Sequence, residues 1–261
     1  MQCGFRERKG TLQTEENKTR MKAMILAAGR GTRLQALTEK TPKALVKAGG
    51  MSMLERLIHK MKIQGINEII INVHHLADQI ISFLNEKDYS ELKISISDES
   101  DELLETGGGI LKAAGFLAGD EPFIVHNVDI LSDIDLRDIF RKHKKSKALA
   151  TLAVKNRRTS RYLLFDEALQ MHGWENQSTG ERIIPGNAIE EFTPLAFSGI
   201  HVISPEIFPL IRQRGNFSII NTYLDLCNDN LIKGYRHDAG LWIDAGKPEG
   251  LKLANQLMGN L

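Results

Sequence analysis

The sequence predicts an α/β fold in which a mainly parallel, twisted sheet is flanked by helices and carries a smaller β-rich lobe. Over the first 150 residues, short apolar runs alternate with amphipathic stretches, as in successive βαβ units. Glycine-rich segments follow two of these runs, at the sheet edge where α/β proteins bind ligands. An irregular stretch from 161 to 197, punctuated by glycine and proline, predicts the β-rich lobe.

Composition limits the kind of protein this is. The chain has 261 residues, 42% hydrophobic and 26% charged, with a net charge of +1. These values are typical of a soluble globular protein and favour neither nucleic acid nor a membrane as partner. Two cysteines, no zinc-type cluster and no apolar run of roughly 18 residues lead us to expect a cytoplasmic monomer or small homo-oligomer. Residues 1–20 are polar and are expected to be a disordered extension, with a single domain at 21–261.

The first predicted strand, residues 23–26, leads into a segment suited to phosphate. Gly29 and Gly31 follow the strand at once, and a glycine turn there lets backbone N–H groups approach an anion closely. Arg33 and Lys43 add fixed positive charge, one as a planar fork and one as a compact ammonium group. The segment therefore predicts a polyphosphate site.

Two common glycine-loop motifs are excluded by the residues present. The dinucleotide fingerprint needs a third glycine at position 34, where the sequence has leucine. The P-loop of ATPases needs Gly-Lys-Ser/Thr, which does not occur in this segment. A nicotinamide-dependent oxidoreductase is therefore disfavoured.

The complete string from 26 to 45, LAAGRGTRLQALTEKTPKAL, resembles the signature of the sugar-1-phosphate nucleotidyltransferases. Ala36 stands where that family often has proline. The resemblance implies a nucleotide-diphospho-sugar transferase fold, which is Rossmann-like, with the β-rich lobe on the sugar side. It also implies that Arg33 contacts the departing pyrophosphate and Lys43 the reacting phosphates. The loop that wraps the triphosphate would be formed by Ala27, Ala28, Gly29, Gly31 and Thr32.

The next elements continue the alternation. Ser52 and Glu55 form a capping box, which predicts a helix that ends at Gly65. A β-rich run at 68–73, a helical stretch at 76–84 and a strand at 92–96 follow.

A second glycine-rich segment, Leu104 to Gly109, reads LETGGG and precedes an amphipathic stretch at 110–117. It resembles the second nucleotide loop of the same family, in the subtype of N-acetylmuramate-1-phosphate uridylyltransferases and of some mannose- and heptose-1-phosphate guanylyltransferases. The resemblance implies a sugar contact at Gly109 and nucleotide contacts at Glu105, Thr106, Gly107 and Gly108.

Two aspartates follow strand-like runs far apart in the chain. Asp129 comes after the apolar run 122–126, and Asp244 lies in the segment Trp242 to Gly246. We expect parallel strands to bring both to one sheet edge, where carboxylates suit a hard cation. Without a shared cation they would repel each other. The family resemblance implies that both bind Mg²⁺.

The rest of the chain predicts a helix beginning near Asp135, a strand at 148–154, a short helix capped by Ser204 and a helix at 219–230. A strand at 197–202 contains an internal glycine, which often marks close approach of a ligand. The resemblance implies sugar-binding roles for Asn127, Ser198 and Gly199.

These observations predict a Mg²⁺-dependent enzyme that joins a nucleoside triphosphate to a sugar 1-phosphate. A phosphate oxygen of the sugar attacks the α-phosphate, pyrophosphate leaves, and the protein supplies positioning and charge stabilisation. The expected substrates are UTP and N-acetylmuramate 1-phosphate, with GTP and mannose or heptose 1-phosphate as the alternative. A non-catalytic nucleotide-sugar-binding regulatory protein is the alternative of another class; it predicts loss of Lys43, Asp129 or Asp244, and all three are present.

Overall fold

The structure, a computed structural model, describes residues 21–186 and 191–259. The expected N-terminal extension, residues 1–20, lies outside the described residues. The strands are β1 (Met21–Leu26), β2 (Lys47–Ala48), β3 (Met51–Ser52), β4 (Ile66–Val73), β5 (Lys93–Asp98), β6 (Phe123–Asn127), β7 (Ile130–Ser132), β8 (Ala150–Lys155), β9 (Arg161–Phe165), β10 (Met171–Asn176), β11 (Glu181–Ile183), β12 (Thr193–Ile203), β13 (Ile232–Arg236) and β14 (Trp242–Asp244). The α-helices are α1 (Met53–Ile63), α2 (Ala77–Asn85), α3 (Glu105–Lys112), α4 (Ala114–Leu117), α5 (Leu136–Ser146), α6 (Ile219–Leu226) and α7 (Pro248–Met258).

The parallel half of the sheet has the strand order β5–β4–β1–β6. Strand β1 lies between two neighbours, so Met24 stands opposite Ile70 on one side and Val125 on the other. Helices α1, α2, α5 and α7 cover one face of the sheet, while α3, α4 and α6 cover the other. Because both faces are covered, the central strands β1 and β4 are mostly apolar, in line with the apolar runs of the sequence.

The antiparallel half begins at β12, where the sheet branches. One end of β12 pairs with β6 and β8, and the other end pairs with β9. Strands β9, β10 and β11 continue as an antiparallel extension, which is the predicted β-rich lobe. Strand β13 lies beside β8 and is parallel to it.

A small two-stranded sheet outside the main sheet positions the segment that carries Asp244. Strand β14 runs antiparallel to β7, with Asp244 opposite Ile130. The residue before Ile130 is Asp129, so this pairing carries Asp244 to the end of β6. The two aspartates are therefore brought together by a separate antiparallel pair of strands. The sequence had suggested that two strands of one parallel sheet would bring them together.

The structure confirms some local predictions and corrects others. The side chain of Ser52 accepts a hydrogen bond from the backbone N–H of Glu55, and Asp135 caps α5. Ser204 does not cap the short 3₁₀ helix that follows it, since its hydroxyl donates to the carbonyl of Ala148. The segment at 104–109 is not a loop, because α3 already begins at Glu105 and contains the three glycines.

Within the described ranges, every helix is too short or too polar to reach across a lipid bilayer.

Candidate active site

Two side-chain hydrogen bonds hold the loop after β1, one to Asn72 on β4 and one from Thr38. The backbone N–H of Ala27 donates to Oδ1 of Asn72 at 2.7 Å, and the Thr38 hydroxyl donates to the carbonyl of Gly31 at 3.0 Å. Gly31 has a φ of +69°, and a Cβ there would lie 2.8 Å from Thr38 and 2.9 Å from Lys43. Only glycine therefore fits at position 31. Earlier in the same loop, Ala27 and Ala28 are buried and Gly29 is exposed.

Lys43 passes beside this loop and reaches the end of β6. Its ammonium lies within 4.0 Å of the position a Cβ on Gly29 would take. The same Nζ lies 2.5 Å from Oδ2 of Asp129. The structure thus joins the glycine loop, the predicted catalytic lysine and the predicted metal ligand in one place.

The carboxylates of Asp129 and Asp244 are close neighbours. A Cβ on Gly246 would stand 2.2 Å from Oδ2 of Asp129 and 3.1 Å from Oδ1 of Asp244. The backbone N–H of Ala245 donates to the carbonyl of Asp129 at 2.9 Å, which fixes the two segments together. A side chain at position 246 would occupy the space between the two carboxylates.

Three side-chain cations balance these two carboxylates. Besides Lys43, Arg33 lies 3.3 Å from Oδ2 of Asp244 and 3.8 Å from Oδ2 of Asp129, and Lys247 lies 3.3 Å from Oδ2 of Asp244. The repulsion expected between the two aspartates is therefore offset within the protein itself. One positive charge remains in excess, which favours a polyanion at this position.

The carboxylates also fit a hard divalent cation. Both offer oxygen to one small volume, and Oδ1 of Asp129 accepts no hydrogen bond among the described residues. No third histidine, cysteine or carboxylate joins them in the described part of the chain. Mg²⁺ commonly binds through one or two carboxylates and takes its other ligands from phosphates and water, so two protein ligands are sufficient.

A cavity of about 320 Å³ opens beside this cluster and is called here the nucleotide cavity. Arg33, Lys43 and Asp129 lie at one side of it, and its volume falls within the range of small-molecule sites. Of the predicted nucleotide contacts, Ala28, Gly29, Glu105 and Thr106 line it, and so does Asn127. Other lining residues are Leu26, Asn72, Leu103, Val128 and Ser218.

The predicted contacts Gly107 and Gly108 lie inside α3, away from the cavity wall. A Cβ on Gly107 would come within 2.3 Å of the Phe217 ring, and a Cβ on Gly108 within 2.2 Å of the carbonyl oxygen of Gly215. The backbone N–H of Gly107 donates to the Phe217 carbonyl at 2.8 Å. These glycines let the segment 215–219 pack directly on α3, and that packing places Ser218 in the cavity wall.

The predicted sugar contact Gly109 packs against a buried pair of polar side chains. A Cβ on it would lie 2.6 Å from Oε1 of Glu99, which accepts a hydrogen bond from Nδ2 of Asn72 at 2.7 Å. Burial raises the pKa of Glu99. Since Oδ1 of Asn72 holds the glycine loop, Glu99 and Asn72 connect α3 to that loop.

The predicted sugar contacts on β12 do not line the cavity. Ser198 is fully buried, with Oγ 2.7 Å from Nε2 of His237. Gly199 has a φ of +74°, and a Cβ there would lie 2.8 Å from Nδ2 of Asn127. Gly199 therefore makes room for Asn127, while Thr32, the remaining predicted contact, is exposed outside the cavity wall.

A second cavity of about 410 Å³ lies on the side of the β-rich lobe and is called here the lobe cavity. Ser218 lines both cavities, so the two are adjacent. Sequence reasoning did not find the lining of this cavity, because much of it comes from the irregular stretch between β8 and β12 and the rest from β12 and the region of α6. They include Arg157, Arg161, Tyr162, Trp174, Glu181 and Phe197.

Sequence reasoning also missed Asn72 and Lys247. Lys247 directly follows the Asp-Ala-Gly segment, so a basic residue three positions after a candidate ligand was the available signal. The available signal for Asn72 was a polar residue within a mostly apolar strand, because such a buried residue indicates a hydrogen bond.

The geometry can hold a polyphosphate against Lys43, Arg33 and Lys247, with carboxylates available for a divalent cation. The adjacent lobe cavity can hold a second, polar substrate. Such an arrangement supports group transfer between two bound substrates by positioning and charge stabilisation.

Comparison with known proteins agrees with this geometry. The family model described as nucleotidyl transferase matches residues 22–171. An N-acetylmuramate alpha-1-phosphate uridylyltransferase of Caulobacter vibrioides is 31% identical over 241 residues, which cover 89% of this chain and 94% of that protein. A mannose-1-phosphate guanyltransferase of Aspergillus oryzae is 30% identical over 88% of this chain, but the match spans only 62% of that protein.

Solved structures share the fold. A putative glucose-1-phosphate thymidylyltransferase from Bacillus anthracis superimposes with a TM-score of 0.77 at 20% identity, covering 92% of this chain and 96% of that one. At this identity the likeness concerns the fold.

Proposed function

The chain belongs to the nucleotidyl transferase family and is a sugar-1-phosphate nucleotidyltransferase, and from this premise we propose that it uses UTP and N-acetylmuramate 1-phosphate with Mg²⁺. The products are the UDP-sugar and pyrophosphate. The observation that carries the proposal is the cluster of Lys43, Arg33 and Lys247 around two carboxylates, beside two adjoining cavities.

In this proposal the triphosphate occupies the nucleotide cavity, with the glycine loop against its phosphates. Lys43 contacts the reacting phosphates, and Arg33 contacts the pyrophosphate that leaves. Both side chains already face the carboxylates at short range, so little reorganisation is needed when phosphate oxygens arrive. Lys247, on the same carboxylate as Arg33, adds a third cation for the charge that develops on pyrophosphate.

Asp129 and Asp244 would hold the magnesium ion. When bound, Mg²⁺ supplies Lewis-acid stabilisation of phosphate oxygens. With a bound ion neutralising these carboxylates, Lys43 and Arg33 would be available to the phosphates from the positions they already hold. No general base is required of the protein, since the phosphate monoester dianion of the sugar is itself the nucleophile.

The choice of UTP rests on the relative that matches over nearly its whole length, which is a uridylyltransferase. The alternative is GTP with mannose or heptose 1-phosphate, and the guanyltransferase relative supports it over a smaller share of that protein. The site does not support the non-catalytic alternative, because the charged residues that we propose for transfer lie together.

The test is a matrix of the four ribonucleoside triphosphates against a panel of sugar 1-phosphates, read as pyrophosphate release with Mg²⁺. We expect the highest kcat/KM for UTP with N-acetylmuramate 1-phosphate, and none of this turnover in EDTA. Turnover with GTP and mannose 1-phosphate in place of UTP would overturn the substrates and keep the reaction. A folded protein that released no pyrophosphate with any pair would overturn the reaction itself.

A further inference from the structure

Arg157 is a half-buried cation in the wall of the lobe cavity. It follows β8, and its guanidinium lies over the ring of Trp242, with Cζ 4.0 Å from the ring centroid. One of its terminal nitrogens donates to the Phe197 carbonyl at 2.8 Å. The indole N–H of Trp242 in turn donates to the carbonyl of Ser198 at 2.9 Å. The Phe197 carbonyl and the anchored indole ring therefore constrain the position of the guanidinium.

Arg157 has no carboxylate partner within 4.0 Å among the described residues. Its Nε is shielded from solvent and has no hydrogen-bond partner. Burial lowers the pKa of Arg157, although an arginine remains a cation at neutral pH. By contrast, the ammonium of nearby Lys155 is satisfied by three backbone carbonyls.

A half-buried cation whose Nε is shielded and unpaired becomes more favourable when an anion completes it. Removing a guanidinium from water costs free energy, and one carbonyl and one aromatic face offset only part of that cost. The remaining donors of Arg157 are therefore the strongest anion-binding feature of the lobe cavity.

The position of Arg157 relative to Asp244 indicates which anion Arg157 binds. Trp242 and Asp244 are two residues apart on β14, so their side chains lie on the same face of the strand, roughly 7 Å apart. Arg157 stacks on the first of them, and Asp244 is the carboxylate whose charge most favours its cationic form. Through Trp242, Arg157 is thus placed beside the strand that carries Asp244.

We propose that Arg157 binds the phosphate of the sugar 1-phosphate and sets the direction of its attacking oxygen. The proposal rests on the sugar-1-phosphate transfer reaction, and it assigns the second substrate's anion to a residue separate from Lys43 and Arg33. A guanidinium held over an indole ring and by a backbone carbonyl keeps its remaining donors in one planar fork, which suits two oxygens of one phosphate. The sugar ring then extends into the lobe cavity, between β9, β10 and α6.

A carboxylate on the sugar is the other anion that could reach this cavity. Arg161 also lines the lobe cavity and is exposed, so it offers a separate cation for such a group. Arg157 is the one that lies over Trp242, two residues from Asp244 on the same strand, and for that reason we assign it the phosphate.

The experiment compares Arg157→Ala, Arg157→Lys and Arg158→Ala. Arg158 is the neighbouring residue and is exposed outside the cavity wall, so its removal is a matched change of charge. We expect Arg157→Ala to raise the KM for the sugar 1-phosphate roughly 10- to 100-fold, the loss of a charge-assisted hydrogen bond. The KM for the triphosphate should stay within about twofold. Arg157→Lys should recover part of the effect, and Arg158→Ala should match the wild type.

The pattern across substrates decides between phosphate and carboxylate. If Arg157 binds phosphate, the loss is the same for every sugar 1-phosphate that supports turnover, with or without a carboxylate on the ring. A loss confined to the carboxylate-bearing sugar would overturn the assignment, and so would an equal rise in the KM for the triphosphate or no change at all. Thermal midpoints show whether Arg157→Ala is folded. If it is not, the KM values of Arg157→Lys are compared across the same sugar 1-phosphates.

Binding of inorganic phosphate, followed by calorimetry, separates this proposal from the reaction itself. Weaker binding by Arg157→Ala than by Arg158→Ala supports the anion site whichever sugar is used. A wild-type protein that binds phosphate through Arg157 but transfers no nucleotide would overturn the reaction. Active protein with unchanged binding in Arg157→Ala would overturn only the role of Arg157.

Discussion

Nζ of Lys43 lies 2.5 Å from Oδ2 of Asp129, and the two side chains are only 14% and 7% exposed. A charge pair so shielded from water behaves differently from an exposed one, because loss of either partner leaves the other charge uncompensated. Arg33 lies farther away, at 3.8 Å from the same oxygen, and is 52% exposed. The lysine that would act on the substrate phosphates therefore also neutralises a candidate metal ligand in the free protein.

Lys43→Ala should lower both activity and stability. The loss of a contact that strengthens in the transition state typically costs on the order of 2–4 kcal/mol, which corresponds to roughly 10²- to 10³-fold in kcat. Leaving Asp129 without its nearest cation should lower the free energy of unfolding by about 1–3 kcal/mol. Steady-state kinetics and urea unfolding measure the two effects.

The double variant Lys43→Ala/Asp129→Asn separates the two roles of Lys43. It should regain much of the lost stability, because no charge is left unpaired, while its activity stays low. Lys47→Ala, a matched change at an exposed lysine on β2, should alter neither. Wild-type turnover by Lys43→Ala at saturating substrates would remove Lys43 from the reaction.

Asp129→Asn and Asp244→Asn should each abolish most of the activity and the response to magnesium. In the wild type, Mg²⁺ with UTP should raise the thermal midpoint by a few degrees, as expected when ligand is present at about 100 times Kd. In either variant this rise should largely disappear, whereas Asp120→Asn, at an exposed carboxylate, should retain it. Normal turnover of either site variant at low Mg²⁺ would contradict the metal assignment.

Relief of carboxylate repulsion is not expected to stabilise these variants in EDTA. The sequence predicts that the two aspartates repel each other without a metal, and an asparagine in place of either one would relieve that repulsion. In the structure Lys43, Arg33 and Lys247 already surround them, so an asparagine removes attraction as well as repulsion. We therefore expect the midpoint in EDTA to stay level or fall.

Gly108→Ala and Gly115→Ala should change stability in opposite directions, although both substitute a helical glycine. A Cβ at Gly108 would meet the backbone of Gly215 at 2.2 Å, whereas nothing lies within 4 Å of a Cβ at Gly115. Overpacking at Gly108 should cost about 1–3 kcal/mol, and alanine at Gly115 should stabilise α4 by up to about 1 kcal/mol. Urea unfolding tests both.

Displacement of the segment that Gly108 supports has a functional consequence. Because Ser218 lines both cavities, Gly108→Ala should also raise the KM for both substrates. Gly115→Ala should leave kinetics unchanged, and a destabilised Gly108→Ala with normal KM values would contradict the link between α3 and the cavity wall.

The parts of the site that the sequence predicted are those that one contiguous segment determines. The loop from Ala27 to Arg33 and the nearby Lys43 follow a buried strand, and their residue types alone indicate phosphate. The fold was predictable for a related reason, since apolar runs with caps such as Ser52 specify strands and helices locally. Local patterns are readable because the interactions that produce them lie close in sequence.

The remainder depends on contacts between distant segments. The nucleotide and sugar contacts of the glycines at 107–109 stay a prediction, and the structure adds a packing role that the sequence does not show, since these glycines admit Phe217 and Glu99 against a helix. Likewise, Arg157 gains its significance from Trp242, whose strand pairs with β7 far away in the sequence. No periodicity within either segment encodes such a partner, so the sequence alone could not assign these roles.

A buried histidine network ties α5 to the sheet at a distance from the cavities. The imidazole of His143 has Nδ1 2.9 Å from Oγ1 of Thr151 and Nε2 2.9 Å from Oγ of Ser204. Burial lowers the pKa of His143 to about 4, compared with about 6.5 for a solvated histidine. The folded protein therefore resists protonation of a group that the unfolded chain protonates readily.

The last prediction is that stability falls as the pH drops from about 6.5 towards 4. In this window the unfolded chain binds a proton at His143 that the folded chain does not, so the free energy of unfolding decreases by up to about 1.4 kcal/mol per pH unit. Above pH 6.5 neither state is protonated there, and the effect vanishes. Burial likewise lowers the pKa values of His126 and His201 to about 3 and of His237 to about 4, which steepens the dependence of stability on pH.

Urea unfolding at pH 7, 6 and 5 should show His143→Gln less stable than the wild type at pH 7, with the difference in the free energy of unfolding narrowing by about 1–2 kcal/mol at pH 5. Parallel pH curves for the two proteins would show that His143 does not stay neutral in the folded state.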